Sequence, residues 1–406
     1  MAEQGSTTTM QPTAGTVTAG PRESMQRLPG WLQQPLTVFT GRALSGQRPL
    51  PWWTPTYHFV IGALSLLGGV AISSLGWRLG GAGLLLLLIG WPVTVHGMRN
   101  LRMMIFHQCS HRNMYRRPLL DTVIGELLAS LLVVQNFQRY RREHVADHHA
   151  AHHMTLRDPT VQAFLLTLDL HPGMPVRQMW RRVLGKLCSP VFHLRFAVAR
   201  ALSFWVRSSR RERVFGAVLY GAGLLAGALT GHLVALLVIW FVPLFPLFQL
   251  SNVLRLCVKH TFPAPGGTDR RGKAYFGSLT SGVFLGEPAP APAGSVAAGT
   301  VNWTRWGLRM LFVHAPVRYL IITADTPVHD FHHRYPSVNG WAHHLYQRQA
   351  DLDAGSPGWP PYTELWGLAP AMNEIFRSLS EADPVEYDVN RIRDVSKREL
   401  FAAFDD

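Results

Sequence analysis

Four long apolar stretches dominate the pattern of hydrophobic and polar positions along the chain. Residues 57–77 and 79–97 form one pair that is separated by a single arginine, and residues 214–229 and 233–250 form a second pair. Each stretch is about long enough to cross a hydrocarbon core of ~30 Å as a helix. The mean hydropathy of the whole chain is only slightly positive, so much of it must lie outside a bilayer. The pattern predicts an all-α, polytopic membrane protein with about four transmembrane helices in two hairpins.

A fifth apolar stretch, residues 119–137, is interrupted by Asp121 and Glu126. Histidine-rich segments lie on both sides of it, and a complete crossing would place those segments on opposite faces of the membrane. We therefore expect this stretch to form a re-entrant helix or a helix that lies along the membrane interface.

The polar segments divide the remainder of the chain. Residues 1–50 are polar and then basic, which predicts a disordered N-terminal tail. Residues 51–368 would form a membrane-embedded domain, in which residues 138–213 supply arginine-rich amphipathic helices and residues 263–299 supply an irregular connector. We expect residues 369–406 to form a solvated, cytoplasmic C-terminal tail.

The formal charge of +14 is concentrated in the polar segments. One basic set begins at Arg99 and Arg102, after the first pair of apolar stretches, and another runs through residues 139–213. The turn at residues 230–232 has no Lys or Arg, so the positive-inside rule places the long polar segments and both termini in the cytoplasm. This rule accounts for the charge without nucleic-acid binding, for which no module is recognisable. Three scattered cysteines without a CxxC pair indicate neither a disulfide framework nor a thiolate-ligated cluster.

Three histidine clusters supply the candidate chemistry. The first is the pair His107 and His111, the second has five histidines within residues 144–153, and the third spans residues 329–333. On helices, spacings of three and four residues put the imidazoles of each cluster on one face. Neutral imidazole is a good ligand for iron, copper, zinc or nickel, and the clusters hold more nitrogens than one metal needs. We interpret them as a two-metal site, carried by a cytoplasmic helical cap.

These clusters resemble the histidine boxes of the membrane fatty acid desaturase and hydroxylase superfamily, over about residues 55–368. The first pair matches the first box, and Asp325-x-x-x-His329-Asp330-Phe331-His332-His333-x-x-Pro336 is similar to the third. His260 resembles the isolated family histidine that follows the second hairpin, with Lys259 where glutamate is common. The resemblance implies two iron ions, O2 as co-substrate and the following metal ligands: His107, His111, His144, His148, His149, His260, His329, His332 and His333.

The second box leaves its register open. His144-Val-Ala-Asp-His148-His149 has one residue more than the common HxxHH form and is closer to alkane hydroxylases, whereas His149-Ala-Ala-His152-His153 restores HxxHH. The approach sequence Tyr140-Arg-Arg-Glu-His144 favours the first register, which leaves His152 and His153 as alternative ligands or as residues behind the ligands. Four carboxylates are candidates to orient imidazole N–H groups, or else to offset neighbouring arginines: Glu143, Asp147, Asp325 and Asp330.

The resemblance implies an oxidoreductase that abstracts hydrogen from a fatty acyl or lipid chain with O2 and two electrons. Desaturation is our first choice, and the alternatives are hydroxylation and oxidative decarboxylation of a free fatty acid to a terminal alkene. No electron-transfer domain is recognisable, so we expect a separate ferredoxin, rubredoxin or flavoprotein donor. A divalent-metal transporter is the competing class, but a transporter should carry ionisable ligands within its spans, and these stretches hold almost none.

Overall fold

Helices make up most of the described chain, which comprises residues 20–269 and 271–392 of a computed structural model. The two predicted tails fall partly on residues 1–19 and 393–406, which lie outside the described residues. The predicted all-α class is confirmed, because the only sheet in the described ranges is a pair of three-residue strands.

The elements are, in chain order, α1 (Pro21–Ser24), α2 (Gln33–Thr40), α3 (Pro55–Leu79), α4 (Gly81–Ser110), α5 (Pro118–Leu132), α6 (Phe137–Ala151), α7 (Pro159–Leu168), α8 (Val176–Leu187), α9 (Pro190–Arg207), α10 (Arg210–Leu229), α11 (Leu233–Leu256), α12 (Lys273–Ser278), β1 (Gly282–Phe284), α13 (Val296–Arg309), α14 (His329–Arg334), α15 (His344–Asp353), β2 (Glu364–Trp366) and α16 (Leu368–Glu381). Two π-helical turns, Met310–His314 and Val317–Ile321, continue α13.

Within the described ranges, four helices are long and apolar enough to cross a membrane, namely α3, α4, α10 and α11, which agrees with the predicted number of about four. Helices α3 and α4 pack closely because glycines face the neighbouring backbone. A Cβ added at Gly69 would lie 2.3 Å from the amide nitrogen of Thr94, and one added at Gly97 would lie 2.3 Å from that of Leu66. Small residues allow such close approach between membrane helices. This contact positions α4, whose last turn carries His107.

Arg99 and Arg102 lie inside α4 and are fully buried, with 0 % of each residue exposed. The apolar stretch ends near residue 97, but the helix continues to Ser110, so the two arginines remain part of it. Arg99 and Arg102 thus follow the apolar stretch, as the sequence indicates, and are buried in its helical extension.

Helices α5 and α6 meet at a bend of 115°, a geometry that fits the expected re-entrant helix. Helix α5 stops at Val133, which has a left-handed φ of 52°. Arg200 of α9 donates from Nε to the Val133 carbonyl at 3.0 Å and from its terminal nitrogen to the Leu132 carbonyl. These bonds satisfy carbonyls that the end of a helix leaves open. The bend keeps α6, with the second histidine cluster, at the end of the bundle where α4 finishes.

Residues 263–299 are not irregular throughout, because they contain α12 and β1. Strand β1 pairs in parallel with β2, with Gly282 opposite Glu364 and Phe284 opposite Trp366. Helix α16, which begins the predicted C-terminal tail, buries an apolar face that includes Met372. The pairing of β1 with β2 joins segments that are far apart in the sequence, so no local sequence pattern predicts it.

The chain before the first span also packs on later segments. Arg42 forms an ion pair with Glu364 of β2 at 2.8 Å, and Arg318 donates from Nε to the carbonyl of Val38 at 2.8 Å. Residues 38–42, although they belong to the predicted tail, therefore contact both β2 and the helical turns that precede the third histidine cluster.

Candidate metal centre

Five imidazoles from the three clusters converge in one group, in which all ligand nitrogens lie within 4.8 Å of one another. The Nε2 atom of His144 lies 2.8 Å from Nε2 of His107 and 3.1 Å from Nε2 of His149. The Nε2 atoms of His149 and His332 are 3.2 Å apart. We define the first group as His107, His111, His144, His149 and His332.

A second group of four imidazoles lies beside the first, and all four side chains are buried. The Nε2 atoms of His148 and His260 are 3.1 Å apart, as are those of His333 and His329. The rings of His149 and His333 stack at 4.2 Å across the boundary between the groups, so the two groups are adjacent. We define the second group as His148, His260, His329 and His333.

The local geometry of α6 explains how one box serves both groups. Over Glu143–Ala151 this helix is a π-helix. Hydrogen bonds in a π-helix run between residues five apart, so a turn holds more residues than in an α-helix. On this wider turn, His149 lies five residues after His144 and joins it in the first group, while His148 belongs to the second group. The extra residue of this box is accommodated by the wider turn.

The nitrogen spacing fits two metal ions. Two imidazoles bound at right angles to a transition metal, each at about 2.0–2.1 Å, hold their ligand nitrogens about 3 Å apart. Five pairs of Nε2 atoms within the two groups are 2.8 to 3.2 Å apart, and all ligand nitrogens of a group lie within 4.8 Å of one another. One imidazole nitrogen carries either a proton or a lone pair, so hydrogen bonds alone do not explain how His144 Nε2 can lie this close to two others. The donor set is therefore suited to metal binding.

Burial favours the neutral, metal-binding form of the three imidazoles of the third cluster, His329, His332 and His333, by lowering the pKa of each. It lowers the pKa of His332 and His333 well below the ordinary value, and neighbouring imidazoles lower it further. At His329, burial lowers the pKa and the positive charges of Lys259 and Arg255 add to the effect. Neutral imidazole exposes a lone pair, so these side chains can bind a metal at neutral pH without first losing a proton.

Asp158 is a site residue that the sequence analysis missed. It is 0 % exposed, and its Oδ2 accepts a hydrogen bond from Nδ1 of His148 at 2.9 Å. Burial alone raises the pKa of Asp158, but the charge interaction and hydrogen bond with His148 outweigh it and lower the pKa to about 2. The carboxylate thereby holds the His148 proton on Nδ1 and directs the Nε2 lone pair to the second group. Asp158 also precedes Pro159 as the N-cap of α7, a signal that was readable in the sequence.

Asp330 lies between predicted ligands of the third cluster, but its carboxylate binds an arginine. Arg348 donates to it from Nε at 3.0 Å and from a terminal nitrogen at 2.8 Å, and both side chains are 1 % exposed. Arg348 also donates to Glu364 at 2.9 Å, and Glu364 pairs with Arg42. This buried chain of ion pairs ties α14 to α15 and β2, so Asp330 acts on the third cluster through the position of its helix.

The other three candidate carboxylates have different surroundings. Glu143 pairs with Arg139, one turn earlier on α6, at 2.5 Å. Asp325 lies 3.4 Å from Nδ1 of His344, which belongs to neither group. Asp147 makes no side-chain hydrogen bond or ion pair within the described ranges, and a role in orienting imidazoles stays a prediction for all three.

The two alternative ligands of the second box lie in different places. His152 is half-buried and belongs to neither group. His153 is 0 % exposed, and its ring centre lies 4.9 Å from that of His260 and 4.8 Å from that of His333. Its Nδ1 atom is 3.1 Å from the carbonyl oxygen of His148. The geometry thus brings the favoured triad together with the other boxes, while His153 forms a further candidate metal-binding group with His148 and Asp158.

Comparison with known proteins points to the same chemistry. A family model described as fatty acid desaturase matches residues 81–366, which include all nine histidines of the two groups. No curated protein matches the chain. The family consists of oxidoreductases that act on fatty acyl chains, which agrees with four membrane-spanning helices and a metal-binding donor set. Because the match covers more than half of the chain, the protein belongs to the fatty acid desaturase family, which confirms the predicted resemblance.

Proposed function

We propose that each histidine group holds one iron ion and that the protein uses O2 to introduce a double bond into a fatty acyl chain. The observation that carries this proposal is the convergence of nine imidazoles in two adjacent groups at one end of the membrane helices. Iron and O2 supply the oxidising chemistry for an unactivated C–H bond, which amino-acid side chains lack.

The protein's own residues prepare and protect this centre. Seven of the nine imidazoles are buried and His111 and His149 are partly buried, which limits the access of bulk water to the ligand nitrogens. Asp158 holds His148 in the tautomer that offers its lone pair. An apolar cavity of about 440 Å³ lies among the spans, lined by residues that include Leu66, Leu101 and Trp240. It would receive the alkyl chain of a lipid substrate directly from the bilayer.

The metal-bearing end of the bundle would face the cytoplasm, together with both termini. This proposal is supported by the many exposed arginines at that end, such as Arg112 and Arg117, and by the uncharged turn between α10 and α11. A soluble ferredoxin, rubredoxin or flavoprotein would deliver electrons on the cytoplasmic side. Reporter fusions test the orientation: Gly80 and Thr230 should read outside, and Asp158 and Ala293 should read inside. Opposite readings for Asp158 and Ala293 would refute a shared centre.

Product analysis tests the reaction. Cells that express the protein and are fed a deuterated saturated fatty acid should accumulate the same chain with one additional double bond. His332→Ala should abolish this product, whereas His171→Ala, which changes an exposed histidine, should not. A hydroxylated chain would indicate hydroxylation, and a terminal alkene would indicate oxidative decarboxylation, instead of desaturation. The absence of any oxidised product with every acyl donor would refute the proposal.

Metal analysis tests the centre independently. Protein purified from iron-supplemented cells should contain two metal ions per chain. A consistent content of one zinc ion would contradict the two-iron proposal, whereas paired zinc would reflect loading during expression, because imidazole also binds zinc well.

A further inference from the structure

Arg102 is a buried cation within the membrane-spanning helix α4. It is 0 % exposed, and none of its guanidinium nitrogens has a hydrogen-bond acceptor among the described residues. A charge in such a place is costly, and ionisable residues inside membrane spans are in most cases functional and neutralised by a partner. Arg102 therefore requires an anion.

The described chain offers Arg102 no such anion. No described carboxylate forms an ion pair or hydrogen bond with the guanidinium of Arg102, whose three nitrogens are all buried without an acceptor. Aromatic rings occupy the neighbourhood of Arg102 instead. Rings interact with the face of a guanidinium and leave the N–H groups at its edge without an acceptor.

The arginine lies close to the metal-binding groups. Its Cζ atom is 4.3 Å from the ring centre of Phe106, which precedes His107, and 4.3 Å from that of Tyr140. The Tyr140 ring stacks in parallel on His144 of the first group, with centres 5.1 Å apart and planes 8° apart. One aromatic ring thus separates the guanidinium from a predicted metal ligand.

We propose that Arg102 binds the ionised carboxylate of a free fatty acid. A carboxylate accepts two parallel N–H bonds from the edge of a guanidinium, the part of Arg102 that its aromatic neighbours leave unbonded. The alkyl chain has an apolar space nearby, because Leu101, the preceding residue, lines the cavity among the spans. This inference rests on the proposed function and specifies the head group of its substrate: a free acid instead of a thioester or ester. The carbons nearest the histidines are then those next to the carboxylate.

Competition binding to the full-length protein in lipid nanodiscs tests this proposal without requiring turnover. Radiolabelled palmitate is displaced by unlabelled palmitic acid, by methyl palmitate or by a lysophosphatidic acid with the same chain. The acid should bind at least about tenfold more tightly than the methyl ester, the effect expected of a charge-assisted hydrogen bond. Equal affinity for the acid and the ester would overturn the proposal, and so would stronger displacement by the lysophosphatidic acid, which would assign the site to phosphate.

Variants connect this preference to Arg102. Arg102→Gln should weaken palmitate binding by about tenfold or more and leave binding of methyl palmitate unchanged, whereas Arg102→Lys should retain part of the preference. Arg117→Gln, which removes an exposed arginine, should change neither affinity. Unchanged palmitate binding by Arg102→Gln would overturn the assignment. If Arg102→Gln does not fold, the comparison of acid and ester on the unaltered protein decides.

The outcome separates this inference from the proposed function. If the protein oxidises acyl chains but binds the acid and the ester equally, the carboxylate site is refuted and the desaturase proposal stands. If the protein binds the acid selectively but iron-loaded protein with an electron donor forms no oxidised product, the desaturase proposal is refuted and the carboxylate site stands.

Discussion

Replacing Asp158 by asparagine isolates the contribution of one carboxylate to the second histidine group. Its Oδ2 accepts bonds from His148 Nδ1 and from the Met154 amide, and its Oδ1 accepts one from the Thr160 amide, all at 2.9 Å. Asparagine has a single oxygen. In either orientation its NH2 group therefore faces at least one N–H donor, and the better orientation keeps the bond to His148 and gives up the bond at the N-terminus of α7.

The size of the effect follows from these contacts. A hydrogen bond to a charged group contributes about 1.5–3 kcal/mol, and Asp158→Asn removes the charge from the bond that holds His148. Loss of a carboxylate that orients a ligating histidine costs about 10–100-fold in metal affinity. The lost N-cap bond destabilises the protein by a further ~1 kcal/mol. We expect the first group to keep its ion, because Asp158 bonds none of its histidines.

Metal release against a competing chelator measures this difference. The variant should lose one ion per chain at a chelator concentration about 10–100-fold lower than the unaltered protein requires, and should lose the other ion as before. Asp169→Asn is the control, because it removes the same charge from an exposed carboxylate that pairs with Lys186. Release curves that match those of the unaltered protein, or equal weakening of both ions, would refute the role assigned to Asp158.

Three further predictions follow from the packing of the site and the spans. His144→Ala should remove the metal of the first group and abolish product, whereas His152→Ala should retain two metal ions; the reverse result in metal analysis would show that the wrong register was chosen. Gly69→Ala should lower the melting temperature in detergent, because overpacking costs about 1–3 kcal/mol, while Gly68→Ala, which has open space, should not. Arg348→Met should destabilise the protein by about 3–5 kcal/mol in thermal unfolding, because a buried carboxylate loses its partner; a loss as small as that for an exposed arginine would contradict this.

The spans and the three histidine clusters were predictable because their signals are local. A long run of apolar residues indicates a helix that spans a bilayer. Histidines three to five residues apart are neighbours on a helix. The distribution of ligand nitrogens between the two groups was not predictable, because a wheel drawn for an α-helix does not apply to the π-helix Glu143–Ala151. On the π-helix, His144 and His149 face one group and His148 faces the other.

Some residues of the site were not predicted because only the fold brings them close to the histidines. Asp158 lies ten residues after His148, and only the turn between α6 and α7 brings its carboxylate to that ring. Arg102 was grouped with the basic residues after the first pair of apolar stretches, and its complete burial was not predictable because composition shows charge but not burial. An Asp-Pro pair directly after a histidine box was a readable sign of a helix N-cap, but nothing in the sequence marked its second role.

The contact between Arg42 and Glu364 has a consequence for the order in which the chain is assembled. The two residues are 322 positions apart in the sequence. Because synthesis proceeds at about 5–20 residues per second, Glu364 is made on the order of tens of seconds after Arg42. During that interval all four membrane helices, which end by Leu256, can already be inserted. The N-terminal segment is thus made first, but its ion pair with β2 can form only after Glu364 has been synthesised. Insertion of the four helices can therefore precede completion of the metal-bearing end.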